Sequence, residues 1–169
     1  MTIEPIDVGL LVLRGATGAV MVAHGWNHIF GGGKIAGTAR WFEGLGMRPG
    51  RLHAWLASLT ELGAGVLLLL GLLTPLAGTA VVGVMVVAWI TNHRSNGFFI
   101  FRPGEGCEYV MTLTAIGLFF CAAGGGELSL DGLLGIHGIA WTAALVAAAA
   151  GVGGAASLLL GFWRPVAKA

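Results

Sequence analysis

The chain has 169 residues, of which 56% are hydrophobic and only 10% are charged, and its mean hydropathy is +0.86. An average soluble domain carries roughly 25% charged residues, so this composition excludes a soluble protein and predicts an all-α, polytopic membrane protein. The length predicts one transmembrane domain over residues 1–169. The formal net charge of +1 excludes nucleic acid as a partner, because binding phosphates requires a clustered basic surface.

The first apolar segment, residues 8–30, predicts a transmembrane helix with Asp7 as its N-cap. Acidic residues precede it where a signal peptide would carry basic ones, so we expect this helix to be retained. Arg14 introduces a charge about a turn and a half inside the helix, and helical spacing sets it on the same face as His28. We expect this face to point inward. The polar residues at its other end are His24, Asn27 and His28.

Residues 34–45 are too short and too charged to span a bilayer. Their apolar side chains recur at helical spacing, opposite Lys34, Arg40 and Glu43. This pattern predicts a short amphipathic helix at the membrane interface. We expect it to form a lid beside the histidines.

Residues 52–73 form the second predicted transmembrane helix, and Glu61 lies near its middle. About 20 helical residues cross a hydrocarbon core of roughly 30 Å, so this carboxylate lies near mid-depth. An ionisable group there costs on the order of 2.5 to 3.5 kcal/mol on insertion scales, and it normally faces a partner or a wet cavity. The tight turn at Thr74 and Pro75 makes the third helix, residues 76–91, an antiparallel neighbour.

Two further helices are predicted in the second half of the chain. Residues 107–123 form the fourth, and the Ala- and Gly-rich residues 139–163 form the fifth, which contains no buried charge. Cys107 and Cys121 lie at opposite ends of the fourth helix, roughly 20 Å apart at helical rise. A disulfide needs Cα atoms within about 7 Å, so these two cysteines cannot pair with each other.

The lysines and arginines outside the membrane fall on one side of these five helices. That side comprises residues 31–51, residues 92–106 and the C-terminal tail. On the opposite side the charged residues are all acidic, namely Glu4, Asp7, Glu127 and Asp131. The positive-inside rule therefore predicts an extracytoplasmic N-terminus and a cytoplasmic C-terminus.

Threading the helices in this way brings many polar residues to the cytoplasmic end of the bundle. The heights of Arg14 and Glu61 differ by roughly 9 Å, a gap that the arginine and one water would bridge, so we expect them to form an ion pair. We expect a catalytic site centred on Glu61, with Arg14, His93 and Glu108, in which histidines relay protons. The expected ligand pocket is lined by His24, Asn27, His28, His53, Trp55, Trp89, Asn92 and Tyr109.

Each of these features also has a purely structural interpretation. The Arg14–Glu61 pair would simply set the helix register, and the histidines would be interfacial residues wetted by head groups. His24 and His28 stand four residues apart, a spacing that suits metal or haem ligation, but no cysteine motif or HExxH pattern accompanies them. We therefore predict no metal site and rank haem or metal below a quinone or other small ligand.

Several short stretches follow one another between residues 8 and 131, namely Arg14, residues 28–34, residues 60–63, residues 70–75, residues 93–99, Glu108 and residues 124–131. Their order and spacing together resemble the DoxX family of small bacterial membrane proteins, and this resemblance implies a place in the bacterial cytoplasmic (inner) membrane. The resemblance implies a four-helix transmembrane core over about residues 8–131. The fifth helix lies beyond that pattern.

The resemblance also implies, by association, a role in redox physiology. Some relatives resemble subunits of thiosulfate:quinone oxidoreductase, and actinobacterial ones are linked to membrane complexes that handle oxidative and thiol stress. On this interpretation the chain is a non-autonomous membrane subunit in the lipid bilayer, with a quinone or lipid ligand and with other subunits or further copies of itself as partners. Two alternatives stay open, an assembly scaffold without its own chemistry and a small-molecule transporter.

Overall fold

The computed structural model describes residues 2–136 and 141–165, and these residues are organised as helices and their connections. Within these ranges the β-structure is limited to one isolated bridge between Met47 and Trp163. The predicted all-α fold is confirmed. The helices are α1 (Pro5–Phe30), α2 (Lys34–Gly44), α3 (Gly50–Leu70), α4 (Thr74–Ala88) with a π-helical continuation (Trp89–His93), α5 (Glu108–Ala123), α6 (Leu130–Leu133) and α7 (Trp141–Phe162).

Four helices in the described part of the chain are long and apolar enough to cross a membrane, namely α1, α3, α4 with its π-helical continuation, and α7. The multi-pass architecture is thereby confirmed. Helix α5 has 16 residues, about 24 Å at helical rise, so the crossing expected for it stays a prediction. The first residues of the predicted fifth helix, 139 and 140, and Lys168 of the basic tail lie outside the described residues.

Helix α1 begins earlier than the apolar pattern predicts. Pro5 occupies the first turn, where its missing N–H costs nothing, and Glu4 is the N-cap residue. Asp7 therefore lies inside the helix, and its carboxylate accepts hydrogen bonds from the backbone nitrogens of Glu4 and Glu127, both at 2.8 Å. The expectation that Asp7 is the N-cap is wrong, because the helix extends back to the proline.

Helices α1 and α3 pack closely as an antiparallel pair. A Cβ added at Gly18 would lie 2.8 Å from the carbonyl oxygen of Gly65, and one at Gly25 would lie 2.7 Å from that of Ser58. Small residues allow this approach of two helix backbones. These two contacts set the register of the pair along its whole length.

Helix α4 lies between α3 on one side and α5 and α7 on the other. The main apolar cluster joins α1, α3, α4 and α5 and comprises Leu10, Met21, Ala64, Leu68, Ala77, Val81, Met85, Val110 and Phe120. A second cluster joins α2 to α3 and to the end of α7 and comprises Ala39, Phe42, Met47, Ala54 and Leu159. The second cluster holds the amphipathic helix α2 against the end of the bundle where α1 finishes.

Candidate functional site

A cavity of about 790 Å³ lies among α1, α2, α3, α4, α5 and α7. Sites for small molecules typically measure about 300 to 1,000 Å³. In the described part of the chain, the wall of this cavity contains two acidic residues, Glu61 and Glu105, and no lysine or arginine. Its polar and aromatic residues are His24, Asn27, His28, Thr38, Trp41, Phe42, His53, Thr60, Glu61, Thr79, Thr91, Asn92, His93, Glu105 and Tyr109.

Glu61 is the buried carboxylate of this cavity, with 4% of its surface exposed. It shares the inward face of α3 with Ala54 and Ser58, which precede it at helical spacing. Its Oε2 atom lies 3.5 Å from Nε2 of His28 and has no hydrogen-bond partner among the described residues. Glu61 therefore lines the cavity as a buried residue whose Oε2 has no hydrogen-bond partner in the described chain.

His93 lies at the centre of a hydrogen-bond network in the same wall. Its Nδ1 lies 2.9 Å from the carbonyl oxygen of Glu105, which can only accept, so Nδ1 carries the hydrogen of the neutral ring. Nε2 then accepts from the Tyr109 hydroxyl at 2.9 Å and from the Asn92 amide at 3.2 Å. The π-helical turn that contains Asn92 and His93 is a feature common at functional sites. It brings both side chains to the cavity.

His53 supplies a second buried acceptor. Only 2% of its surface is exposed, and its Nε2 lies 3.3 Å from the carbonyl oxygen of Arg48, so the neutral ring donates through Nε2. Nδ1 is then an acceptor, and it has no hydrogen-bond partner in the described ranges. The ring of Phe162 packs edge-on against His53 at a centroid distance of 5.1 Å.

Most of the expected site residues meet at this cavity. His24 lies on α1 with its ring 6.3 Å from the ring of Tyr109, so the ends of α1 and α5 face each other across it. The expected residues that line the cavity are Glu61, His93, His24, Asn27, His28, His53, Asn92 and Tyr109.

Four expected site residues do not line the cavity, namely Trp55, Trp89, Glu108 and Arg14. Trp55 is 37% exposed and lies on a different face of α3 from Glu61. Trp89 packs against the main apolar cluster. The carboxylate of Glu108 accepts a hydrogen bond from the backbone nitrogen of Ile100 at 3.1 Å, which ties it to the preceding loop. These side chains therefore lie outside the cavity wall.

The expected ion pair between Arg14 and Glu61 does not form. The Arg14 side chain is 1% exposed and donates to the carbonyl oxygen of Leu68 at 2.9 Å and to that of Leu128 at 2.6 Å. The carboxylate that acts on it electrostatically is Asp131. Arg14 thus belongs to a different polar group, at the opposite end of α3 from the histidines.

Asp131 ties the connection between α3 and α4 to the short helix α6. Its carboxylate accepts hydrogen bonds from the backbone nitrogens of Leu73 at 2.7 Å and Thr74 at 2.9 Å, and its own nitrogen donates to the carbonyl oxygen of Gly71 at 2.8 Å. Gly71 adopts a φ of 64°, and a Cβ there would collide with the Arg14 guanidinium. We call Arg14, Gly71 and Asp131 the arginine clasp.

The separation of Arg14 from Glu61 follows from the geometry of an antiparallel helix pair. The register of α1 and α3 sets Glu61 level with Val22, roughly 12 Å along α1 from Arg14 at helical rise. Helical side chains also lean towards the N-terminus of their own helix. Arg14 and Glu61 therefore lean in opposite directions, Glu61 towards His28 and Arg14 towards the clasp.

Sequence reasoning did not identify which residues of α2 and α7 line the cavity. The Thr38 hydroxyl donates to the carbonyl oxygen of His28 at 2.7 Å, and the Trp41 ring lies 6.1 Å from the His28 ring. The amphipathic pattern of residues 34–45 indicated a lid but gave no reason to select these two side chains. The small residues of α7 carry no chemical signal at all, although Gly151 and others form part of the wall.

A comparison with known protein families gives one match. The DoxX family model matches residues 9–94, just over half of the 169 residues. The matched region includes His28, Glu61 and His93, whereas Tyr109 and α7 lie beyond it. No curated protein and no solved structure matches the chain.

Proposed function

The chain belongs to the DoxX family, and on this premise we propose that it is the membrane subunit of a redox-linked complex, which binds a hydroquinone in the cavity beside Glu61. The resemblance to quinone-linked relatives supports the redox role by analogy. The observation that supports the ligand is the buried Glu61 carboxylate, whose Oε2 has no hydrogen-bond partner within the described chain.

The unpaired acceptors in the wall favour a ligand that donates hydrogen bonds. A buried polar group without a partner costs about 1 to 3 kcal/mol, and a ligand hydroxyl placed against it removes this cost. Oε2 of Glu61 is such an acceptor. Nδ1 of His53 is another, roughly 12 Å further along α3 at helical rise, so one hydroquinone ring does not reach both. A hydroquinone offers two hydroxyl donors, whereas the oxidised quinone offers only carbonyl acceptors, so the reduced form is the better match.

The side chains around the cavity suit the release of protons from a bound hydroquinone. Glu61 takes the proton of one hydroxyl, and His28 at 3.5 Å offsets the negative charge when its ring is protonated. Tyr109 accepts a hydrogen bond from the other hydroxyl while its own hydrogen points to Nε2 of His93. Oxidation releases two protons, one to Glu61 and one to Nε2 of His93 by way of the Tyr109 hydroxyl, and the two electrons pass to a one- or two-electron acceptor, such as a flavin or an iron–sulfur cluster, on a partner subunit.

The scaffold alternative requires only helix contacts around Glu61. A cavity beside the carboxylate and an oxygen without a hydrogen-bond partner favour ligand binding over that role. We further propose that the complex lies in a bacterial cytoplasmic membrane, with the cavity near the cytoplasmic surface, because the basic loops lie at that end.

Binding of a decyl-substituted benzohydroquinone to the purified full chain in lipid nanodiscs, under anaerobic conditions, tests this proposal. We expect saturable binding to the wild-type protein and a loss of about 10-fold or more in Glu61→Gln, because a hydrogen bond to a charged group contributes about 1.5 to 3 kcal/mol. The matched control is Glu108→Gln, which removes a carboxylate outside the cavity and leaves affinity unchanged.

Two results would contradict the proposal. One is the absence of saturable binding to the wild-type protein. The other is equal affinity in the wild-type and Glu61→Gln proteins, provided that circular dichroism and size-exclusion chromatography show both to be folded.

A further inference from the structure

The cavity beside Glu61 continues into an apolar arm between α4 and α7. The arm is bounded on α4 by Gly83 and Val84, and on α7 by Gly154, Ala155 and Leu158. Its α4 wall reaches from His93 back to Thr79, roughly 20 Å along the helix axis. The arm therefore extends along α4, with the polar part of the cavity at one end.

The polar group at the inner end of the arm is already satisfied. The Thr79 hydroxyl donates to the carbonyl oxygen of Pro75 at 2.9 Å and lies 3.1 Å from that of Ala147. Glycine, alanine, valine, leucine and methionine residues make up the rest of its α4 and α7 walls, apart from Thr79, Thr91 and the polar residues beside His93. Such a wall suits a hydrocarbon chain and offers little to a hydrophilic molecule.

Two glycines of α7 have different surroundings, and together they explain how the arm is held open. A Cβ at Gly151 would lie 2.8 Å from the carbonyl oxygen of Thr79 and 3.0 Å from the Val82 side chain, so the two helices touch there. A Cβ at Gly154 would meet no atom within 4 Å, although Gly154 lines the cavity. The helices therefore touch at Gly151 and stay packed at the buried Ala155, whereas Gly154 is exposed and borders open space at the edge of the cavity.

We propose that this arm holds the hydrocarbon chain of the same molecule whose head group binds at Glu61, and that Gly154 sets the space available to the chain. The inference rests on the proposed function and makes the ligand a lipid-soluble hydroquinone with a tail. The head and tail positions belong to one continuous cavity, and the unpaired Glu61 oxygen marks the head position. Helix α7, outside the family match, thus determines the specificity for the tail.

The test compares two hydroquinones that differ only in their tail, 2,3-dimethoxy-5-methyl-benzohydroquinone and its decyl derivative. Their affinities are measured for the wild-type, Gly154→Leu and Gly153→Leu proteins in identical nanodiscs, so that partitioning of the decyl compound into lipid cancels between proteins. Gly153 is the matched control, because a Cβ there also meets no atom within 4 Å but the residue does not line the cavity.

We expect Gly154→Leu to weaken binding of the decyl compound about 10-fold, since a leucine occupies the space of several methylenes of the chain. Binding of the compound without a tail stays within about twofold of wild type, and Gly153→Leu binds both as wild type does. Gly154→Ala, which adds a single methyl group, gives a smaller loss of about threefold for the decyl compound alone. This variant keeps the test decisive if the leucine variant does not fold.

The results separate this inference from the proposed function. Unchanged binding of the decyl compound in both Gly154 variants, or equal weakening of both compounds, would overturn the tail position while head-group binding stands. Equal affinity of the wild-type protein for both compounds would also overturn the tail position. This is the result expected if a membrane phospholipid, and not the tail of the hydroquinone, fills the arm. No binding of either compound to the wild-type protein would overturn the proposed function itself.

Discussion

The separation of Arg14 from Glu61 predicts that removing the two charges has additive effects on stability. The perturbation is a double-mutant cycle of Arg14→Met and Glu61→Gln, singly and together. Sites more than about 7 to 10 Å apart, without shared partners, usually add within about 0.3 to 0.5 kcal/mol. Arg14 bonds to the carbonyls of Leu68 and Leu128, and Glu61 lies beside His28. They share no direct partner, so we expect a coupling energy below about 0.5 kcal/mol.

The two single substitutions differ greatly in size. Arg14→Met removes a buried and a part-buried hydrogen bond and a charge that interacts electrostatically with Asp131. Because a hydrogen bond to a charged group contributes about 1.5 to 3 kcal/mol, we expect a loss of about 3 to 5 kcal/mol. Glu61→Gln keeps the shape of the side chain and removes a charge that has no hydrogen bond at Oε2, so we expect a change within about 1 kcal/mol.

A second cycle, Arg14→Met with Asp131→Asn, provides the positive control. Because both residues belong to the arginine clasp, their effects should fall short of additivity by about 1 to 3 kcal/mol. The free energy of unfolding is measured by titrating the protein in mixed micelles with SDS and following circular dichroism. A coupling energy above about 1 kcal/mol between Arg14 and Glu61, comparable to that between Arg14 and Asp131, would refute the separation derived from the helix register.

Two further predictions concern the placement of the chain in the membrane. Because the basic loops lie on the cytoplasmic side, a fluorescent reporter fused after Ala169 should be active. A periplasmic phosphatase reporter inserted between residues 124 and 138 should also be active. A phosphatase that is active after Ala169 and silent between residues 124 and 138 would contradict the orientation. Lys34, Arg40 and Glu43 are exposed on α2. With the native cysteines replaced, a single cysteine at each position should react with an impermeant maleimide added from the cytoplasmic side. Failure at all three positions would show that α2 is not at that surface.

Much of the architecture could be predicted from the apolar runs of the sequence. The runs that became α3, α4 and α5 end within a few residues of their predicted bounds, because glycine, proline and charged residues interrupt them at the membrane ends. The charged face of residues 34–45 predicted α2. The start of α1 was missed because Pro5 and Asp7 act inside the first turn, where polar residues interrupt the apolar pattern without ending the helix.

Helical periodicity by itself determined which residues of α1 and α3 point inward, including Arg14, His28 and Glu61, since residue spacing sets the angle of a side chain around its helix axis. Only the tertiary structure decided their partners, because the sequence of one helix contains no information on its axial register against another. A close contact of Gly18 with Gly65, together with the opposite lean of side chains on antiparallel helices, places Glu61 beside His28 and Arg14 in the clasp. The wall formed by α7 was likewise decided by packing, since whether a glycine closes a contact, as Gly151 does, or leaves a space, as Gly154 does, depends on the neighbouring helix.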